Sequence, residues 1–530
     1  MTRSLPLCLA LLVACAREPG GDPLRLVPAD PGTAIIAPSL STLQARTAGF
    51  LGGVEGASGV LDLLADRFGL ALRTPEGPDA LGLDADKGLA VFTRGADTWV
   101  LAASVADPEH FLEAVQARLE RGAGATLAPG QGQAVGGAQL FTGQGWHAAV
   151  GATHDRIGLC VITSNEGDAI ARWNEVASAG GPGFASSPLA ARAREALGED
   201  GALWVALPNL LPDAPRELGL ARGLVQNTRD ALKTFVGGVA LPLGEGGVDS
   251  LILRLAADHE GEGALPVSWV SPAGSPEALA KAFPKTTTAF VRFRFEIEKV
   301  RALPGFIRES VLPDRLPGLE ALPLPSVSDL VELVEGDIAV GLLGLDPGAN
   351  LGQLGSVRAL RARFFDTFHV ALAARLRDPN AAKRSFAGIA AQLGTSGWTV
   401  APIIGGAKDA PYAGWSFARD GAHYAVLIDA EVAVFIVGAG EVDGFLAVKD
   451  GRALSLAAFA EGGSTIVKQA LGLEGKTPLG IALSPLRLSR ELSARGLPPY
   501  FLKIINDVRL ISATVDAADK RLGLGLEIAL

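Results

Sequence analysis

The sequence predicts an α+β protein made by tandem duplication, each copy a mostly antiparallel sheet with helices on one face. Three observations lead there. Short strand-like runs follow one another through Gly-rich turns, which favours antiparallel pairing. Helical spacing with recognisable caps is set among them. The order of segments then recurs once along the 530 residues. That length exceeds one ordinary core, since a domain usually takes about 100–200 residues. The 48% hydrophobic content is enough to offset the chain entropy that keeps polar sequences disordered.

In the first copy, a strand at residues 33–38 leads into helical spacing over 39–51 and 58–70. Strands follow at 88–93 and 98–105. Asp107 then stands where an N-cap accepts backbone N–H bonds, and Pro108 presets φ for the first turn. Phe111, Leu112, Val115 and Leu119 continue at helical spacing. Three short strands at 139–142, 146–152 and 157–163 precede helices at 168–177 and 189–197. A strand at 202–207, a longer helix at 216–235 and a hairpin of 238–243 with 250–256 close the copy.

The second copy repeats short segments in the same order. Ala34-Ile35-Ile36 answers Ala289-Phe290-Val291 at an offset of 255, and Gly88-Leu89-Ala90-Val91 answers Asp337-Ile338-Ala339-Val340 at 249. Leu101-Ala102-Ala103 and Asp107-Pro108 answer Leu372-Ala373-Ala374 and Asp378-Pro379, both at 271. His147-Ala148-Ala149-Val150 answers His423-Tyr424-Ala425-Val426 at 276, and Val205-Ala206-Leu207-Pro208 answers Ala482-Leu483-Ser484-Pro485 at 277. The step from 249 to 271 puts a 22-residue excess near 349–366. The expected organisation is a signal at 1–14, a tether at 15–24, repeats at 25–258 and 281–530, and a linker region at 259–280.

At the N-terminus Arg3 precedes an apolar run over residues 5–14, followed at once by Cys15. Ten residues rising 1.5 Å each are too short for about 30 Å of hydrocarbon. The run fits the core of an export signal. Leu12-Val13-Ala14-Cys15 resembles the lipobox of bacterial lipoproteins. The resemblance implies a diacylglycerol on the Cys15 thiol, cleavage just before it and an acylated amine. It makes Leu12, Val13 and Ala14 the recognition residues, and Ala16 implies sorting to the outer membrane. Several acyl chains exceed the anchoring threshold that one does not, at about 0.8 kcal/mol per buried methylene. Residues 16–23 then read as a Pro/Gly tether. The segments Leu26-Val27-Pro28-Ala29-Asp30-Pro31 and Leu83-Asp84-Ala85-Asp86-Lys87 resemble an uncharacterised family of exported bacterial proteins whose domains open on a "VPADT"-type strand. That family has no established reaction, so it lends a fold expectation and no site.

Beyond Cys8 and Cys15 only Cys160 remains, set in an apolar strand-like run and expected to be a buried, inert thiol. The longest later apolar stretch, 424–438, is broken by Asp429 and Glu431 and reads as a buried strand pair, not a membrane span. Formal charge is 47 minus 57, or −10, with no long basic run, which excludes sustained nucleic-acid binding.

Chemistry-bearing patterns are few. Residues 470–477 loosely fit a phosphate loop, but helical spacing precedes and Pro478 follows, the reverse of the required strand–loop–helix order. Asp84 and Asp86 read as turn residues, short of a calcium loop. The six histidines show no metal spacing, and no cofactor is expected. His147 and His423 occupy matching strand positions, as half-buried imidazoles inherited with the sheet or as a duplicated site. Arg358, Arg361 and Arg363 lie in a basic amphipathic stretch over 354–365, packed on its own domain or lying on a membrane or partner. Three functions stay open: a non-enzymatic binding or scaffold protein of the envelope, a carrier of an apolar or lipid-like ligand between the repeats, and a hydrolase with an unrecognised site. The expected partners are the membrane, through the lipid anchor, and another envelope protein.

Overall fold

The computed structural model describes residues 21–52, 54, 81–95, 97–123, 126–127, 137–164, 166–179, 183–208, 226, 230, 232–244, 247–259, 277–294, 296, 332–346, 367–405, 411–438, 440–460, 463–474, 477–485, 508–518 and 521–530. The chain divides into two compact units, Met1–Leu210 with Thr234–Leu255, and Leu211–Lys233 with Ala256–Leu530. The helical stretch expected at 58–70 and the excess segment at 349–366 lie outside the described residues.

The first unit runs β1 (Ala34–Ala37), α1 (Leu40–Gly52), β2 (Leu89–Thr93), β3 (Trp99–Ser104) and α2 (Pro108–Ala123). It continues with β4 (Thr126–Leu127), β5 (Gln139–Gly143), β6 (Trp146–Ala152), β7 (Ile157–Thr163), α3 (Glu166–Ala177) and α4 (Pro188–Leu197). It closes with β8 (Gly201–Leu207), β9 (Leu232–Ala240), the short pair β10 (Leu243–Gly244) and β11 (Gly247–Val248), and β12 (Ser250–His259). In space the strands lie in the order β12-β9-β8-β1-β2-β3-β7-β6-β5-β4. From β9 to β4 each neighbouring pair is antiparallel.

The second unit runs α5 (Glu277–Ala282), β13 (Ala289–Arg294), β14 (Val334–Leu345), β15 (Phe368–Leu376), α6 (Pro379–Thr395), β16 (Thr399–Gly405) and β17 (Tyr412–Arg419). There follow β18 (Ala422–Ile428), β19 (Val432–Val437), α7 (Val442–Lys449), α8 (Leu456–Phe459), α9 (Thr465–Leu471), β20 (Leu479–Leu483), β21 (Leu510–Ala518) and β22 (Arg521–Ala529). The order is β22-β21-β20-β13-β14-β15-β19-β18-β17-β16, antiparallel throughout. The apolar stretch around 424–437 is the β18–β19 hairpin, and no described helix is long and apolar enough to cross a membrane.

Mostly antiparallel sheet with helices is therefore the architecture, but the expected confinement of helices to one face is wrong. In the first unit Ile36, Phe92, Leu159 and Val161 form one core with Trp173 and Val176 of α3 and Ala190 and Ala193 of α4. Phe141, Ala148, Val150 and Cys160 form another with Phe111 and Val115 of α2 and Leu40 of α1. Adjacent strand residues such as Ala148 and Ala149 thus face opposite ways, and both ways lie helices. The second unit does the same, with α5, α7, α8 and α9 on one core and α6 on the other. The reason is visible in β7, where Ile157 to Val161 are all buried. A strand apolar at both parities needs cover on both sides.

Local signals set the helix ends. Asp107 Oδ1 accepts from the Glu109 and His110 amides, both at 3.1 Å, and Asp378 Oδ1 from those of Asn380 and Ala381, both at 2.9 Å. Each Asp is followed by a proline that needs no partner for its nitrogen. Asp420 and Gly421, with φ of 50° and 85°, make the tight β17–β18 turn whose twist matches the strands it joins. One expected helix, 216–235, is overruled at its end: Leu232 to Phe235 belong to β9, with Phe235 opposite Leu207. Gly237 and Gly238 let that strand press against the carbonyls of Arg254 and Leu203, which a side chain would prevent.

Asp378→Ala is expected to weaken α6 by about 1 kcal/mol, while Asp378→Ser keeps most of the cap. Hydrogen exchange of the α6 amides measures both.

Candidate functional site

The residues singled out from sequence do not converge. His147, half-buried on β6, has its Nδ1 3.4 Å from Thr142 Oγ1 on β5. His423 occupies the corresponding position on β18, opposite Ala418, and is exposed. Each histidine lies in its own unit with different neighbours. Leu12, Val13, Ala14 and Cys15 lie outside the described residues, as do Arg358, Arg361 and Arg363. Cys160 is a free thiol in the core, and burial pushes it up to about 12, so it is protonated and inert at neutral pH.

Other sequence patterns turn out to be turns. Gly472 ends α9 with φ of 77°, and Leu473 donates back to the Lys468 carbonyl at 2.7 Å, so a helix C-cap occupies the phosphate-loop-like stretch. Asp84 Oδ1 accepts from the Asp86 amide at 3.3 Å and Asp86 from Ser41 Oγ at 3.3 Å, fixing the approach to β2.

The chemistry that the sequence reading missed is a buried charged nest in the second unit. Arg292 is 0% exposed, and Arg294 and Asp337 are 4%. Asp337 Oδ1 lies 3.9 Å from both Arg292 Nη1 and Arg294 Nε, too far for a hydrogen bond. Arg292 Nη2 donates to the Thr477 carbonyl at 2.8 Å. Its Nε and Nη1 have no hydrogen-bond partner among the described residues. The guanidinium lies against Gly472, where a Cβ would come within 2.5 Å of Nη1, at the end of α9 whose partial negative charge favours a cation. Burial raises the Asp337 carboxyl above its ordinary value against the pull of Arg292, Arg294 and Arg375. Burial likewise lowers Arg292 despite Asp337. Desolvation outweighs attraction at both partners. The signal was present in Phe290-Val291-Arg292-Phe293-Arg294, whose alternation places both arginines on the face of Phe290.

Two more pairs were not anticipated. His369 Nδ1 on β15 meets Glu441 Oε1 at 2.8 Å, just before α7, with Gly438 (φ 125°) close against the imidazole. The carboxylate can fix the orientation of that ring. Asp429, at the β18–β19 turn, accepts from the amides of Glu431 and Val432 at 2.7 Å each and pairs with Lys449 at the end of α7. Burial pushes its carboxyl up, but Lys449 and the two amides overcome that and hold it below the ordinary carboxylate range. In the second unit, Lys285, Thr288, Phe290, Leu456 and Phe459 border a cavity of about 30 Å³, space for water and too small for an acyl chain.

No family model matches the chain, and no curated protein matches it. Among solved structures, crystal form I of TP0453 is similar over 47% of this chain and 82% of its own, at 11% identity and a TM-score of 0.24. A likeness that slight decides neither fold nor activity.

Asp337→Ala is expected to cost about 3–5 kcal/mol by removing the carboxylate that faces buried Arg292, and adding Arg292→Met should recover part of that loss. Thermal unfolding of both variants reads it. Asp429 has a folded value below its unfolded one, so its contribution is full above the carboxylate range and lost as pH falls through the folded value. Asp429→Asn should therefore destabilise the hairpin by about 2 kcal/mol at neutral pH. Hydrogen exchange at the β18–β19 amides should show the gap from wild type closing in acid.

Proposed function

We propose that this is a lipid-anchored protein of the bacterial cell envelope, held by Cys15, that binds or scaffolds another envelope component and turns over no substrate. The observation that carries the reading is Leu12-Val13-Ala14-Cys15 after a short apolar run, with Gly21, six residues on, already bonded into the first unit at Asp155. Ala16 favours the outer membrane. Several described residues that could do chemistry are engaged in structure instead: Cys160 in the core, Asp84 and Asp86 in a turn, and Arg292 and Asp337 in the buried nest. Arg358, Arg361 and Arg363 are the candidate contacts for the partner or the membrane surface.

The reading includes descent of the two units from one ancestral domain. Its support is the order of strands: β12-β9-β8-β1-β2-β3-β7-β6-β5-β4 in one unit and β22-β21-β20-β13-β14-β15-β19-β18-β17-β16 in the other, with the same connections. Registers agree as well. Val91 faces Leu101 as Val340 faces Leu372, and Thr142 faces His147 as Ala418 faces His423. The first strand and β8 each need a one-residue adjustment, because Ile36 pairs with Ala90 as Arg292 does with Ala339, and buried Ala34 pairs with buried Ala206 as buried Phe290 does with buried Ala482. Ala34 therefore corresponds to Phe290, and Ile36 to Arg292. A one-residue slip would have put each on the wrong face.

Cys15→Ser should lose both the lipid mass and sedimentation with membranes while both units stay folded. Unchanged sedimentation, together with wild-type protein that carries no lipid, would sink the anchor. Crosslinked pull-down of the lipidated protein from its native envelope tests the scaffold: recovery of one stoichiometric protein partner is expected, and recovery of lipid alone would favour a carrier.

A further inference from the structure

We infer that the pole of the first unit formed by the β6–β7 turn, residues 153–156, faces the phospholipid headgroups, because a strap just after the anchor is fastened there. The inference rests on the lipidation of Cys15 and adds an orientation to it. Gly21 donates its amide to the Asp155 carbonyl at 2.7 Å, and a Cβ at Gly21 would stand 2.7 Å from that same oxygen. Asp22 Oδ1 accepts from the Leu24 amide at 2.9 Å and starts a 3₁₀ turn over Pro23–Leu26. Arg25 pairs with the Asp155 carboxylate. Leu26 and Val27 are 2% and 0% exposed, and Phe184 donates to the Val27 carbonyl at 2.8 Å.

Residues 21–24, expected as the end of the tether, are thus part of the folded unit. Only 16–20 separate them from Cys15. Six Cα–Cα steps, fully extended, reach about 20 Å. The turn cannot leave the surface by more than that, whereas the β5–β6 turn at Gln144 and Gly145 lies at the other end of β6. Seven strand residues put it about 24 Å further along the unit.

The protein's own cysteines make the orientation measurable. Cys160 is buried with its thiol held protonated, and Cys15 is blocked by the thioether. A cysteine introduced as His154→Cys or as Gln144→Cys, both at exposed positions, is then the sole site for a maleimide donor dye. Lipidated protein goes into phosphatidylethanolamine–phosphatidylglycerol vesicles carrying a headgroup acceptor, and intact mass confirms the lipid first. Energy transfer from residue 154 should exceed that from 144 by at least about twofold, given the length of strand between them. Gly21→Val with Arg25→Ala should release the strap and erase the difference. Equal or reversed transfer on protein that carries lipid overturns the orientation alone. A difference that survives the release overturns the strap as its cause. Absence of lipid mass overturns the anchor, and the orientation with it.

Discussion

Everything in each unit follows from an antiparallel sheet that is apolar on both faces. A half-solvated sheet alternates apolar with polar residues, but here Ile157, Leu159 and Val161 pack one way while Cys160 packs the other. Burying a side chain such as Trp173 or Phe111 contributes about 1.5–3 kcal/mol, so a bare face would forfeit a large part of the stability. Helices therefore lie on both sides, and their positions follow from capped starts directly after strands, as at Asp107 and Asp378. Gly158 shows how close the layers come: a Cβ there would stand 2.6 Å from the ring of Phe111.

The charged nest is the exception within that apolar construction. Ile36 sits between Ala90 and Trp204 on the strands flanking β1, and Arg292 sits between Ala339 and Gly480 on those flanking β13. At Gly480, where the first unit has Trp204, the α9 backbone packs so close that a Cβ would collide with the Ala470 carbonyl oxygen, and Gly472 leaves a surface for the guanidinium. Burial outweighs the pairing at both groups, raising the Asp337 carboxyl and lowering Arg292. What holds the guanidinium is the Thr477 carbonyl and the end of α9. The two units thus share an order of strands and differ in what they bury at its centre.

Legibility tracked locality. Asp-Pro caps and the Asp420-Gly421 turn were readable because their geometry is fixed within four residues. The β6 and β7 bounds were likewise readable, since composition changes sharply at their ends. The last turn of the expected helix at 216–235 was misread because pairing with Leu207 overrides helical spacing in Leu232 to Phe235. His147 and His423 share a strand position, but the threonine beside one and the open surface around the other were not in the pattern. His369 and Glu441, 72 residues apart, had no shared sequence signal.

The sequence by itself determined the bounds of β6 and β7, the capped starts of α2 and α6, and the internal position of Cys160. Those properties depend on neighbours within a turn or on a residue's own hydrophobicity. Only the tertiary structure decided that helices cover both faces, that Arg292, Arg294 and Asp337 meet in the core, and that Gly21 is fastened at Asp155. Each of these joins residues brought together by the stacking of strands distant in sequence, and that stacking is set by burial summed over a whole sheet.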